Sequence, residues 1–170
     1  MDRLDLYELC VQRPALCADF LRALHGHDPR VLLEDFCGTA QLSRHWVESD
    51  PLARSIARDI DPAVLDRAHE RASAAGVASR RLEVTRQDVI ASAQGIAALS
   101  IDVAFVGNFS IGEIHHRRDL VRYLSQAREF LRADGRSVFV CDTYGGSSAW
   151  RTGGVTRVHV PRQPEVAAGL

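Results

Sequence analysis

The 170-residue chain contains no lysine; all 21 of its basic side chains are arginine. A lysine Schiff base and a P-loop lysine are therefore excluded, because both chemistries need the ε-amino group. The four cysteines form no C-x-x-C pair, which argues against a zinc knuckle or a dithiol redox centre. Cys10, Cys17, Cys37 and Cys141 are expected to be free and mostly buried thiols. No apolar run approaches the roughly 20 residues of a membrane span. The opening MDRLDLYELC carries acids where a secretory signal would be basic and then apolar, so a cytoplasmic protein without a membrane partner is expected. A net charge of −1 provides no bulk attraction to nucleic acid. Arg151, Arg157 and Arg162 do not change this, since no series of stacking aromatics accompanies them. Also missing is the G-x-G-x-x-G of a dinucleotide-binding turn. The segment VLLEDFCGTAQLS, residues 31–43, has the outline of such a turn but only one glycine, Gly38.

What is present points to one α/β domain. Hydrophobic residues make up 46% and charged residues 25%, the composition of a globular chain long enough to bury a substantial core. Leu4 to Leu24 reads as helix interrupted at Pro14, with Phe20, Leu21 and Leu24 as its apolar stripe. Val31 to Leu33 is a short buried strand, followed by a helix from about Thr39 to Glu48. LARSIARDI supplies a second strand ending near Asp59. DPAVLDRAHERASAAG then has Asp61 as N-cap, Pro62 at the first helical position and Gly76 past the end, with Val64, Leu65, Ala68 and Ala72 toward the sheet. RLEVTRQD is a third strand ending at Asp88, IDVAFVGN a fourth and RSVFVCD a fifth. Between the last two lies a helix over Arg117 to Leu131, with Leu120, Leu124, Ala127 and Leu131 on one face. The division is an N-terminal helical segment (1–28), a Rossmann-like core (29–146) and an irregular tail (147–170). Alternating strands and helices predict a doubly wound parallel sheet of about five strands with helices on both faces, and a Rossmann-like core of that kind has the expected order 3-2-1-4-5.

Such sheets bind ligands beyond the carboxyl ends of their strands. Here those ends are acidic: Glu34-Asp35, Asp59, Asp88 and Asp142. Carboxylates suit a pyrophosphate poorly, but they suit ribose hydroxyls, an adenine amino group and positive charge. Asp59 lies 21 residues after Gly38, the offset at which a second-strand acid accepts hydrogen bonds from a ribose.

In that order, VLLEDFCGTA, ARDIDPAVLDRA, RQDVI and GRSVFVCDTYGG resemble the successive motifs of class I S-adenosylmethionine-dependent methyltransferases. More narrowly, EDFCGTA, NFS and D-x-YGG resemble a bacterial subgroup of that superfamily, and the likeness covers about Tyr7 to Gly146. The resemblance implies S-adenosylmethionine as cofactor and a small-molecule methyl acceptor. It implies a binding set of Glu34, Phe36, Cys37, Gly38, Thr39, Asp59, Ile60, Asp88, Val89, Asn108 and Phe109. Within that set Glu34 is the acid of the first motif, Phe36 stands for the family's first glycine and Ala40 for its last. The missing glycines then make sense, because this cofactor has no pyrophosphate to wrap. Tyr7 and Gln12 are candidates to fold over it from the N-terminal helices.

Each residue also has a plainer reading. A carboxylate after a parallel strand caps a helix or forms a turn, which is the preferred role of Asp61 and an equal alternative for Asp88. Cys37 at a helix N-terminus has the position of a nucleophile, but no histidine partner is placed, so it reads as a small packed residue. His115-His116 lacks the i, i+4 spacing of a helical metal site, and no metal is expected. The superfamily's sixth and seventh strands have no counterpart apart from VTRVHV, residues 155–160, so the chain reads as C-terminally shortened. That segment is expected to dock beside the fifth strand; otherwise the open edge favours a homodimer. Two functions follow: an active methyltransferase, or a catalytically incomplete cofactor-binding or interaction module.

Overall fold

The computed structural model describes residues 2–91 and 95–146. Its elements in order are α1 (Arg3–Val11), α2 (Pro14–His25), β1 (Val31–Asp35), α3 (Gln41–Glu48) and β2 (Arg54–Asp59). These are followed by α4 (Pro62–Ala74), β3 (Leu82–Arg86), β4 (Val103–Val106), α5 (Arg117–Phe130) and β5 (Val138–Cys141). The strands form one parallel sheet, β3-β2-β1-β4-β5, the predicted order. Register pairs Asp35 with Arg58 across β1 and β2, and Asp35 with Val106 across β1 and β4.

Alternation along β1 divides the core. Leu32 packs with Leu21 of α2, Trp46 of α3 and Leu65 of α4 on one face, while Leu33 packs with Ala104 and Phe130 on the other. Pro14 starts α2 where its missing N–H is harmless, and Gly26 closes the helix in the left-handed region. Asp61 caps α4 as expected, accepting from the Ala63 amide at 2.9 Å. Helix α1 has a capping box formed by Asp2 and Asp5. The same two carboxylates pair with Arg67, and Asp5 also pairs with Arg71 at 2.7 Å, fastening α1 to α4.

Several expectations need correction. The apolar stripe of α2 is Ala18 and Leu21 with Cys17 beside them, whereas Phe20 and Leu24 are largely exposed. On α5 the fully buried residues are Tyr123, Ala127 and Phe130; of the expected face Ala127 is buried, Leu120 and Leu131 pack partly buried against the core, and Leu124 is exposed. Of the thiols only Cys37 is buried, and Cys10 and Cys141 are exposed. Helix α3 begins at Gln41, because Ala40 sits in the left-handed region and cannot continue a helix. Strand β3 stops at Arg86, two residues before Asp88. The stretch VTRVHV lies outside the described residues. Among the described residues no helix is long and apolar enough to cross a membrane.

Candidate cofactor site

The parallel sheet brings the carboxyl ends of all five strands to one edge, and the acids noted in the sequence gather there. The turn after β1 is held from β2: the Cys37 amide donates to the Arg58 carbonyl at 3.0 Å, and the Gly38 amide donates to Asp59 Oδ2 at 2.8 Å. Asp59 Oδ1 accepts from the Asp61 amide at 3.0 Å. Asp59 is thus a turn former, yet it stays half-buried, with lone pairs left for a ligand's hydroxyls.

Gly38 has φ +54° and open space where a side chain would begin. Phe36 (φ 57°) and Ala40 (φ 52°) keep the left-handed backbone although neither is glycine. Asn108 (φ 54°) and Phe109 (φ 62°) repeat this at the end of β4. Of five non-glycine residues in that region among those described, four surround this edge. Each costs about 1–2 kcal/mol, and such strain collects at ligand sites.

Glu34 is almost fully buried; its Oε2 accepts from the Ser43 amide at 2.9 Å and the Ser43 hydroxyl at 2.5 Å. Behind Ser43 stands Ser55, whose hydroxyl donates to it at 2.8 Å. Burial raises the Glu34 carboxyl to about 7, opposed by the two bonds from Ser43 and reinforced by the charges of Asp35 and Asp59. Beside it a cavity of about 440 Å³ lies between the α1–α2 segment and the ends of β1, β4 and β5. Its wall is largely apolar, with Leu16, Phe20, Phe36 and Phe105, and its polar groups include Gln12, Arg13, Glu34, Asn108 and Asp142.

Asp142 accepts from the Asn108 amide at 3.1 Å and the Phe109 amide at 2.6 Å, so β5 clamps the strained turn after β4. Phe109 stacks on Tyr144 with ring centroids 4.4 Å apart.

The predicted residues therefore do not form one uniform set. Glu34, Phe36 and Asn108 line the cavity; Gly38 and Asp59, bonded to each other in the same turn, are not among its lining residues. Cys37 turns its side chain into the core, where burial holds the thiol well above its ordinary value, so only its backbone belongs to the turn. Thr39 is buried with its hydroxyl unpartnered. Ile60 is exposed and Val89 buried. Asp88 accepts from the Ile90 and Ala91 amides at 2.9 and 3.2 Å, the turn-capping alternative. Of the two N-terminal candidates, Gln12 lines the cavity, and Tyr7 lies close enough to Asp142 for its charge to add to the burial that raises the phenol.

Sequence reasoning did not include Arg13, Phe20 or Asp142 in the binding set, although D-x-YGG had marked the last. It also missed a buried cluster. Arg58 donates from Nε to Asp35 Oδ1 at 2.7 Å and from Nη2 to Asp35 Oδ2 at 2.8 Å, and Tyr123 donates to Asp35 Oδ2 at 2.7 Å. The available signal was a pair of opposite charges at matching ends of two buried strands, LLED and ARD.

Comparison with known proteins agrees with this geometry. A family model described as a methyltransferase domain matches residues 33–137. No curated protein matches the chain in sequence. Among solved structures, the sugar N-methyltransferase KedS8 of a Streptoalloteichus species aligns with TM-score 0.69 and 21% identity, over 90% of this chain and 58% of its own. DesVI of Streptomyces venezuelae gives 0.70 and 16%, over 92% and 63% respectively. CalS10, an amino pentose methyltransferase from Micromonospora echinaspora solved with S-adenosylmethionine bound, gives 0.63 and 18%, over 85% and 56%. The chain thus spans less than two thirds of these structures. With the motif order, the sheet order and the family match in agreement, the chain belongs to the methyltransferase domain family, in the class I fold whose methyl donor is S-adenosylmethionine.

Proposed function

We propose that this chain transfers a methyl group from S-adenosylmethionine to a small-molecule acceptor. The observation that carries the reading is the juxtaposition of the Gly38–Asp59 turn with the apolar cavity beside Glu34. The residues present fit the cofactor. Gly38 leaves open space beside the backbone, Asp59 offers acceptors to paired hydroxyls, and the cavity's Asp142 carboxylate favours a cation, whose charge would in turn favour ionisation of Glu34 beside it. The unpartnered Thr39 hydroxyl is a further polar group at the same turn, and the Gln12 side-chain oxygen is another at the cavity.

When bound, S-adenosylmethionine supplies an electrophilic methyl group on a sulfonium. The protein's part is positional. Asp59 would hold the ribose hydroxyls at the end of β2, and Glu34, which lines the cavity, would hold the amino-acid end. Phe20, Phe36 and Phe105 would form the apolar wall against which an acceptor nucleophile is oriented toward the methyl group; orientation alone can supply about 7–11 kcal/mol of rate enhancement. A volume of about 440 Å³ is within the range of small-molecule sites. The sugar and amino-pentose substrates named for KedS8 and CalS10 support an acceptor of that size. Asp88 and the exposed Ile60 and Phe109 are assigned to the rim of the same site.

Calorimetric titration with S-adenosylmethionine, its demethylated product and NAD tests the reading. Saturable binding of the first two and none of NAD is expected, followed by methyl transfer to a member of a small-molecule panel. Preferential NAD binding overturns it, and cofactor binding without turnover favours a non-catalytic module.

A further inference from the structure

The cluster behind the turn has no role in the chemistry just described, yet its members occupy three special places. Asp35 immediately precedes Phe36, Arg58 immediately precedes Asp59, and Gln87 immediately precedes Asp88. One guanidinium reaches two of the three: Nε and Nη2 grip both oxygens of Asp35, while Nη1 donates to Gln87 Oε1 at 3.3 Å. Tyr123 adds a fourth tie, from the middle of α5, to the same carboxylate. The Arg58 and Asp35 side chains are each only 2% exposed. Burial beside the Asp35 carboxylate pushes the Tyr123 hydroxyl far above its ordinary value, so it remains a donor. The backbone repeats the connection: the Arg58 carbonyl accepts from Cys37, and the Asp59 carbonyl accepts from Gln87 at 2.8 Å.

A buried ion pair is a weak source of stability, because desolvation cancels most of the attraction; apolar replacements of similar volume are often neutral or stabilising. What such a fork does provide is geometry, since both carboxylate oxygens and the guanidinium plane are fixed together. Here the fixed objects are the ends of β1, β2 and β3, which carry the Phe36–Ala40 turn, Asp59 and Asp88.

We propose that Asp35, Arg58 and Tyr123 are positioning residues of the cofactor site: they hold three strand ends in register so that the turn and Asp59 are set for S-adenosylmethionine before it arrives. The inference rests on the proposed function for the identity of the ligand, but its geometric content does not.

The test is the triple variant Asp35→Leu/Arg58→Met/Tyr123→Phe, which replaces the cluster with apolar groups of similar size. Melting temperature should hold or rise, while S-adenosylmethionine affinity by calorimetry falls at least tenfold. Hydrogen exchange in the ligand-free protein should quicken at the amides of Cys37, Gly38 and Gln87 and stay unchanged in α3 and α4. Affinity within twofold of the unmodified protein together with unchanged exchange overturns the proposal. If the triple variant does not fold, Arg58→Lys decides. It keeps the charge and loses the fork, so affinity should drop severalfold with the same local exchange signature; unchanged affinity and exchange in this variant refute the role. If the unmodified protein binds no S-adenosylmethionine, the functional reading fails and the exchange measurement alone decides whether the cluster positions the strand ends.

Discussion

Asp59→Ala removes the acceptor that links the β1 turn to the start of α4. Two backbone amides, those of Gly38 and Asp61, lose a charged partner at 2.8 and 3.0 Å. Hydrogen bonds to charged groups contribute about 1.5–3 kcal/mol each when sheltered. Asp59 is only half-buried, so water can reach the freed amides, and a combined loss of about 1–2 kcal/mol is the reasonable scale. For a chain of this length that is a fall of roughly 2–8 °C in melting temperature. The effect on binding is separate. Losing the charge-assisted bonds to a ribose costs about 1.5–3 kcal/mol, or roughly 10- to 150-fold in Kd. Calorimetry well below the melting temperature isolates the second effect, and thermal melting without cofactor measures the first. Asp59→Asn should fall between, because one amide oxygen still accepts from Gly38 or from a hydroxyl. Affinity for Asp59→Ala within twofold of the unmodified protein, with the melting loss present, would establish Asp59 as a turn former only and sink the ribose assignment.

Three further outcomes are expected. Gly38→Val places a β-branched side chain in the left-handed region and in the open space above the turn, so cofactor binding should be lost while melting falls by only a few degrees; retained affinity would remove the turn from the site. Glu34 has a folded pKa of about 7 against an ordinary 4.5, raised by burial, so the folded state holds a proton that the unfolded state releases. Its contribution is then full below about pH 4.5, declines as pH rises to about 7 and stays low above, so Glu34→Gln should gain about 2–4 kcal/mol on the unmodified protein between pH 4.5 and pH 8. Paired melting curves that keep a constant separation across that range would contradict this. Gly107→Ala would set a new methyl group about 2.7 Å from the Phe105 ring, so the ring must swing and reshape the cavity, weakening acceptor turnover more than cofactor affinity in steady-state kinetics.

The parts of this molecule legible in its sequence are those governed by periodicity and local chemistry. The Asp61-Pro62 cap, the alternation of short apolar runs with helical segments and the acids at strand ends each follow from a few adjacent residues, and they yield the parallel sheet and its ligand-binding edge, while the strand order follows from the resemblance of the motifs. The burial of α2 and α5 was harder to read. On α5 leucines and aromatics one residue apart share the inward side, and only the partner surface decides which is fully buried: Tyr123 is, with its hydroxyl donating to Asp35 on the sheet face that α5 covers.

The turn after β1 joins the two cases. By composition Phe36 and Ala40 look like departures from a glycine-rich motif, yet both adopt the left-handed backbone that glycine would take there. The conformation must therefore be maintained from outside the turn, against a cost of about 1–2 kcal/mol at each position. Its supports are visible: the Arg58 carbonyl on the Cys37 amide, Asp59 on the Gly38 amide, and Phe36 seated against the apolar cluster of Val89, Val106 and Ile114. Two of those three supports come from consecutive residues of β2, the strand whose end Arg58 locks to Asp35. A glycine-rich turn carries its shape in its own backbone freedom. This one borrows its shape from neighbouring strands, so the motif could be recognised from residues 31–43, while the reason it works without its glycines lies 20 or so residues downstream and, through Tyr123, in α5.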